Sequence, residues 1–306
     1  MDKIWDCLIV GGGAAGLSAA LVLGRARRET LLIDAGAQSN LAAHGIGGLL
    51  GFDGVPPAQL YAQGRHELTA YPSIEIRSGE VITADGAVGD FAVELADDSV
   101  VRTRRVLLAM GMRYESPDVP GLTELWGNSV FHCPFCHGWE VRDKPLAVLA
   151  DGDRAVHMAT LLRGWSDDVV LLTGGPAELT ADHRSRLAHV GVDVDERVVS
   201  ELHSLAGELQ AVMFTDGASL ARNGLLVATT LRQRGALAEK LGVAFAATNP
   251  ISPEAIETDA MYRTSVPGVF AAGDVSAQLP QVAAAIAAGS AAAASMVASF
   301  MEEHNV

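Results

Sequence analysis

The densest chemistry in the chain lies in His132-Cys133-Pro134-Phe135-Cys136-His137-Gly138-Trp139-Glu140. Two cysteines separated by two residues at a helix start can close a small disulfide ring. A helix dipole and a nearby imidazole favour the thiolate, the species that attacks and leaves in thiol–disulfide exchange. Two other chemistries use similar spacing. Cys-x-x-Cys-His is also the attachment signature of c-type haem, but that reading needs export and a small all-helical domain, and the sequence shows neither. A structural zinc needs four N or S ligands. The third cysteine, Cys7, sits in the first apolar run, and His132 and His137 adjoin the cysteines too closely for tetrahedral geometry, so no metal site is expected. Redox use of Cys133 and Cys136 is the reading the residues favour. His137 is the candidate base, because imidazole titrates near neutral pH while a free thiol stays largely protonated; the alternative is a helix-start residue with no proton role. Cys7 reads as a buried apolar filler.

A second constellation is Gly11-Gly12-Gly13-Ala14-Ala15-Gly16, directly after a strand-like run and opening a helical one. Gly11 permits the tight turn, Gly13 lets a pyrophosphate approach the backbone, and Gly16 lets helix and strand pack closely. The helix N-terminus supplies unpaired N–H groups and partial positive charge. Asp34 follows 18 residues after Gly16, where a carboxylate would take ribose hydroxyls. Near the other end, Val269-Phe-Ala-Ala-Gly273-Asp274 runs into a turn, with Gln281-Val282 opening a further helix. Asp274 is placed to bond a ribityl hydroxyl; the alternative is an ordinary Asp cap.

These motifs need elements to hold them. Residues 6–10 and Thr30–Asp34 read as buried strands around a helix at Ala14–Arg25, a βαβ unit. Residues 91–95 and Val100–Leu108 alternate like antiparallel strands. Residues 146–150, 155–162 and Val169–Leu172 repeat the β-α-β rhythm about 140 residues after the first, so the fold class expected is α/β with two three-layer nucleotide-binding-type domains. The length of 306 residues agrees with two domains. With 49 % hydrophobic and 19 % charged residues the chain can build real cores. Its 22 basic against 37 acidic residues, net −15, repel phosphate backbones and anionic lipid, which argues against nucleic acid and membrane partners. Three cysteines make no disulfide scaffold, and acids flanking the first apolar run argue against a secretory leader. Residues 282–300 lack charge over 19 positions, but their Ala, Gly and Ser content points to a buried core helix. A cytoplasmic protein is expected. Trp126 and Trp139 read as packing residues beside the redox segment, and His44 and His66 as surface residues.

The glycine fingerprint, the central Cys-x-x-Cys and the terminal Val-Phe-Ala-Ala-Gly-Asp together resemble the low-molecular-weight thioredoxin reductases, over nearly the whole chain and in the family's order. The resemblance implies a flavin domain from both chain ends (1–115 plus 233–306), with a nicotinamide-type domain (116–232) inserted between them. It implies FAD, a homodimer, and the cysteine pair lying over the flavin. By position Gly11, Gly13, Ala14, Ala15, Gly16, Asp34, Gly273, Asp274, Gln281 and Val282 would contact FAD, as would Asn40 and Asp53, from the segment that runs beside the flavin in this family.

The departures point further. Where the family has a second Gly-x-Gly-x-x-Ala for NADPH, this chain reads Ala150-Asp151-Gly152-Asp153-Arg154-Ala155. Two carboxylates sit where an anion should approach, each opposing it by on the order of a kcal/mol or more. The following strand ends Thr173-Gly174-Gly175, without the family's His-Arg-Arg for the 2′-phosphate. The second cysteine is followed by His137 rather than Asp. Cys-Pro-Phe-Cys-His-Gly is similar to the flavoenzymes that close disulfides in dithiol natural products, the gliotoxin and holomycin dithiol oxidases. That resemblance implies electrons passing from a small-molecule dithiol through Cys133 and Cys136 to FAD and molecular oxygen, giving hydrogen peroxide. The alternatives are a thioredoxin reductase-like enzyme reducing a protein disulfide with NADPH or ferredoxin as donor, and a non-catalytic flavin-binding redox sensor.

Overall fold

The structure, a computed structural model, describes residues 3–276 and 280–302. Its first elements are β1 (Ile4–Val10), α1 (Ala14–Arg25), β2 (Thr30–Asp34), α2 (Pro57–Leu68), β3 (Ile74–Ser78), β4 (Val81–Ala87), β5 (Asp90–Leu95), β6 (Val100–Leu108) and β7 (Met112–Glu115). Then come α3 (Leu122–Leu125), β8 (Val130–Phe131), α4 (Pro134–His137), β9 (Leu146–Leu149), α5 (Gly152–Leu162), β10 (Val169–Leu172), α6 (Ala181–His189), β11 (Asp193–Asp195), β12 (Val199–Leu205), β13 (Glu208–Phe214), β14 (Ser219–Ala221) and β15 (Gly224–Val227). The chain ends with β16 (Thr230–Gln233), α7 (Leu237–Lys240), β17 (Val269–Ala271) and α8 (Val282–Glu302).

Two units result. The first is built from the stretch up to Leu41, from Leu49–Tyr114 and from Thr230 onward; the second comprises Ala42–Gly48 and Glu115–Thr229. These bounds differ from the expected 1–115 plus 233–306: Glu115 falls in the second unit, residues 230–232 in the first, and one longer stretch moves as well. Seven residues, 42–48, leave the first unit for the second. Their reason is tertiary: a Cβ on Gly47 would lie 2.5 Å from the Cys136 carbonyl oxygen, and one on Gly127 2.9 Å from the Ala43 nitrogen. No local pattern signals that packing.

In the first unit a sheet runs β3-β2-β1-β6-β5-β4, with β17 also on β6. Branched residues in β1 and β2 favour extended backbone, and period-two alternation splits them between the faces. Leu8, Val10, Leu31 and Ile33 enter one core, and Cys7, Ile9 and Leu32 the other, under α1 and α8. Burying each such aliphatic side chain contributes about 1.5–3 kcal/mol. β1 and β2 pair in parallel up to Val10↔Ile33, so their C-terminal ends deliver Gly11 and Asp34 to one sheet edge. β6 pairs in parallel with β1 and β17 and antiparallel with β5, as its alternation implied.

α8 packs into the core as expected, but along one face. Gly289, Ala292, Ala293, Met296 and Phe300 are buried, but Ala284, Ala287, Ala291, Ala294 and Ala298 are exposed. Only the face crossing α1 needs small residues: a Cβ on Gly289 would lie 2.0 Å from the Ala15 carbonyl oxygen. On the open face, alanine serves helix propensity.

The second unit has a parallel sheet β11-β10-β9-β15-β8 and an antiparallel three-stranded sheet β12-β13-β14. Its β9-α5-β10 crossover repeats the plan of β1-α1-β2.

Candidate active site

In the second unit, β8 ends at Phe131 and the chain turns through His132 into α4. Cys133 is the N-cap, with extended backbone, and Pro134 occupies the first helical position, where its missing N–H costs nothing. Cys136 N–H donates to the Cys133 carbonyl (3.2 Å), and the two sulfurs form a disulfide. The redox pair read from sequence is therefore brought together. The helix is a single turn, though, and four peptides sum to little macrodipole, so thiolate stabilisation falls to the local groups.

Those groups are histidines. His132 stacks on Trp126 at 5.6 Å, and burial, aided by nearby His137 and Arg154, pushes its pKa down to about 4. The His137 ring stacks on Phe131 at 5.8 Å. Burial pushes its pKa down too, against the opposing pull of Glu140 and of the Gly127 and Cys133 backbone, and both ring nitrogens are buried. Both rings are held neutral at pH 7, so neither supplies the positive charge that the sequence led us to expect beside a thiolate. The 42–48 stretch closes this site from elsewhere in the sequence: His44 Nε2 lies 3.0 Å from Asn128 Nδ2. His44 is exposed, as expected, yet has a partner beside the redox turn, and His66 is exposed on α2. Trp126 packs as expected, but Trp139 does not. It is 66 % exposed, with Arg142 stacked on its ring at 3.8 Å. Cys7 is fully buried, and that burial raises its thiol pKa far out of the reactive range.

The first unit offers a cradle for a dinucleotide. Gly11 has φ +106°, and a Cβ on Gly16 would lie 1.9 Å from the Gly11 carbonyl oxygen. Gly13 is the N-cap of α1 and caps it with no side chain; a Cβ there would meet only Gln38 Cγ, at 3.6 Å. No side chain caps the first turn and the Gly13 position has room beside it, which fits an anionic pyrophosphate. Asp34 Oδ1 accepts from Gly12 N–H (3.2 Å), Gly36 N–H (3.0 Å) and Gln38 Nε2 (3.0 Å). Gly12, not singled out from sequence, is required because a Cβ would lie 2.4 Å from the Asp34 carboxyl. Ala14 and Ala15 open α1, and Gly273 (φ +83°) brings the turn after β17 to 2.9 Å from Ala15 Cβ, measured from its own would-be Cβ. Asp274 is partly buried and accepts from the Tyr114 hydroxyl at 2.9 Å rather than capping a helix. Burial pushes its carboxyl pKa up, against Tyr114 and Arg234. Asn40 Oδ1 accepts from the Tyr61 hydroxyl at 2.8 Å. Gln281 precedes α8 and its carbonyl takes the Ala285 N–H, Val282 is half-buried at the helix start, and Asp53 is exposed in the loop before α2.

A dinucleotide cradle and a redox disulfide in one chain also have a counterpart among known families. The pyridine nucleotide-disulphide oxidoreductase profile matches residues 5–289. This chain belongs to that family. The thioredoxin reductase tcpT of Claviceps purpurea is 32 % identical over 298 residues, covering 94 % of this chain and 92 % of that protein. The solved structure of an oxidoreductase from Agrobacterium tumefaciens superposes with a TM-score of 0.92 at 38 % identity, over 98 % of this chain and 99 % of that one. HlmI superposes with a TM-score of 0.92 at 39 % identity, over 99 % and 95 %. The protein is an FAD-dependent disulfide oxidoreductase of thioredoxin reductase type, and the cradle in the first unit has the open backbone and donor set that FAD needs.

The family also implies a pyridine nucleotide, and the second unit does not fit one. Asp151 is the N-cap of α5 and accepts from Gly152 N–H (2.7 Å) and Glu178 N–H (3.1 Å). Asp153, in the first turn, pairs with His183 at 2.9 Å. Arg154 donates to the Thr229 carbonyl (2.6 Å), and the Thr173 hydroxyl to that of Gly175 (2.6 Å). Arg184, further on, is engaged with Glu196. The donors that would meet a phosphate are spent inside the unit.

Proposed function

We propose that this protein is a dithiol oxidase that closes a disulfide in a small-molecule dithiol and uses molecular oxygen as the final acceptor. The observation that carries the reading is the contrast between α1, which no side chain caps, and α5, capped by Asp151 and carrying Asp153 in its first turn, together with an intact Cys133–Cys136 disulfide. Such an enzyme takes its electrons from the substrate and needs no nicotinamide. A homodimer in the cytoplasm is part of the same reading.

A substrate thiolate attacks Cys133 Sγ, the Cys133–Cys136 bond breaks, and Cys136 leaves as a thiolate. The second substrate thiolate attacks the mixed disulfide at the substrate sulfur, closing the product ring and freeing Cys133. The substrate gives up two electrons and two protons, and the cysteine pair holds the electrons. His137, neutral at pH 7, is the acceptor for a thiol proton. FAD, when bound, supplies the two-electron acceptor that re-forms the enzyme disulfide and hands the pair to oxygen, giving hydrogen peroxide.

The names of curated relatives favour a second reading, a thioredoxin reductase-like enzyme reducing a protein disulfide. A spectrum separates the two. Under anaerobic conditions dithiothreitol is expected to bleach the flavin and NADPH is not, and dithiol in air is expected to yield hydrogen peroxide. Rapid bleaching by NADPH would restore the reductase. Cys133→Ser is expected to abolish dithiol bleaching. His137→Ala should slow it by about 10²–10⁴-fold, the usual worth of a positioned base, with FAD still bound; an unchanged single-turnover rate removes His137 from the mechanism.

A further inference from the structure

Two tyrosines outside every motif meet two of the residues assigned to the cofactor. Tyr61 lies on α2, is only 4 % exposed, and donates to Asn40 Oδ1 at 2.8 Å. Tyr114 lies on β7 and donates to Asp274 Oδ2 at 2.9 Å. A buried phenol must find a partner, and a backbone carbonyl would have served for packing alone. Here both hydroxyls instead choose side chains that the family resemblance assigns to FAD.

The choice of atom has a consequence. With Oδ1 of Asn40 taken, the amide offers its NH2 group, two donors. With Oδ2 of Asp274 taken, the carboxylate offers Oδ1, an acceptor. The segment carrying Asn40 is held as well: the Ser39 hydroxyl donates to the Met112 carbonyl (2.7 Å) and accepts from Arg234 (2.7 Å). Arg234 also lies close enough to Asp274 to interact with its charge. One side of the first unit thus presents a fixed donor and a fixed acceptor.

We propose that Tyr61 and Tyr114 are positioning residues of the FAD site, the first turning the Asn40 amide to donate to an acceptor atom of the flavin, the second turning the Asp274 carboxylate to accept from a hydroxyl of its side chain. The proposal rests on the reading of Asn40 and Asp274 as FAD contacts. Neither tyrosine touches the reacting sulfurs, and each acts through its partner.

The test is FAD retention by the holoenzyme, read as the fluorescence of flavin released on dilution, with the absorption spectrum of the bound flavin as second readout. Phenylalanine keeps each ring in place, so folding is preserved. Tyr114→Phe is expected to weaken retention about tenfold, because its bond is to a carboxylate, and Tyr61→Phe about threefold. Coupling decides between positioning and packing. Tyr114→Phe should have no further effect on top of Asp274→Ala, and Tyr61→Phe none on top of Asn40→Ala, whereas the crossed pairs should multiply. Effects that multiply within each pair, or tyrosine variants that hold FAD like the parent while Asn40→Ala and Asp274→Ala lose it, overturn the proposal. If Asn40→Ala and Asp274→Ala both hold FAD normally, the assignment of those two residues fails and takes the proposal with it.

Discussion

α1 and α5 begin alike and end in different chemistry. Each follows the buried first strand of a β-α-β crossover, and each has an N-cap in extended backbone, Gly13 at φ −82°, ψ −166° and Asp151 at φ −135°, ψ 169°. A helix start leaves N–H groups unpaired and carries partial positive charge. At α1 those groups meet no side chain and remain for a ligand. At α5 the Asp151 carboxylate bonds Gly152 and also holds Glu178, while Asp153 is tied to His183 on the next helix. The scaffold supplies the same donors twice. What decides whether they serve a cofactor or the fold is one side chain at the N-cap.

The sharpest way to break this comparison is to give the first helix the cap of the second. Gly13 does not need glycine for its backbone angles, and a side chain there has room. Gly13→Asp is expected to cap α1, spend its donors and set a carboxylate against the pyrophosphate. FAD retention should fall by at least about 100-fold, a loss of charge-assisted hydrogen bonds plus like-charge repulsion. The thermal stability of the flavin-free protein should hold or rise, since a capping Asp in place of Gly is a small gain. Purified Gly13→Asp protein that is still yellow at full flavin content would show that the open N-cap is not what holds the cofactor.

The contrast is partly legible in the sequence itself. The glycine spacing, the strand at Thr30–Asp34 and the helix at Ala14–Arg25 appear where local pattern put them, because buried strands and short-loop crossovers write their own periodicity. The carboxylates at 151 and 153 could be read as obstacles from charge alone. That they are internal ligands, to Glu178 and His183, could not, since those partners come from a loop and a helix 27 and 30 positions away. The same limit hid the 42–48 stretch beside Cys136, and the hydroxyls of Tyr61 and Tyr114. A lone tyrosine in an amphipathic element looks like packing until its oxygen is located. α8 is half legible for the opposite reason: alanine suits both a tight crossing and an open helix face.

A smaller effect is expected from clearing the second helix. Asp151→Gly with Asp153→Ala removes two charges, each worth on the order of a kcal/mol against a nearby anion. Titration with NADH, followed by tryptophan fluorescence, should then show weak binding absent from the parent protein. NADPH should bind more weakly than NADH, because Thr173-Gly174-Gly175 offers no cation to a 2′-phosphate. Tight NADPH binding by the parent protein would mean that the carboxylates do not plug the site at all.

The smallest effect sharpens what the plug does for the fold. Asp151→Ala removes one cap and the tie to Glu178, and an N-cap of this kind is worth about 1 kcal/mol. Three of the four tryptophans, Trp126, Trp139 and Trp165, belong to the second unit, so their fluorescence during urea unfolding reports mainly on it. The midpoint should drop for Asp151→Ala and stay near the parent for Asp151→Asn, whose Oδ1 still accepts both N–H groups. FAD content should be the same in all three, since the cradle on α1 is untouched. If Asp151→Ala unfolds like the parent, the carboxylate at α5 is only an obstacle to anions, and the helix start it occupies is as free of structural duty as the one at Gly13.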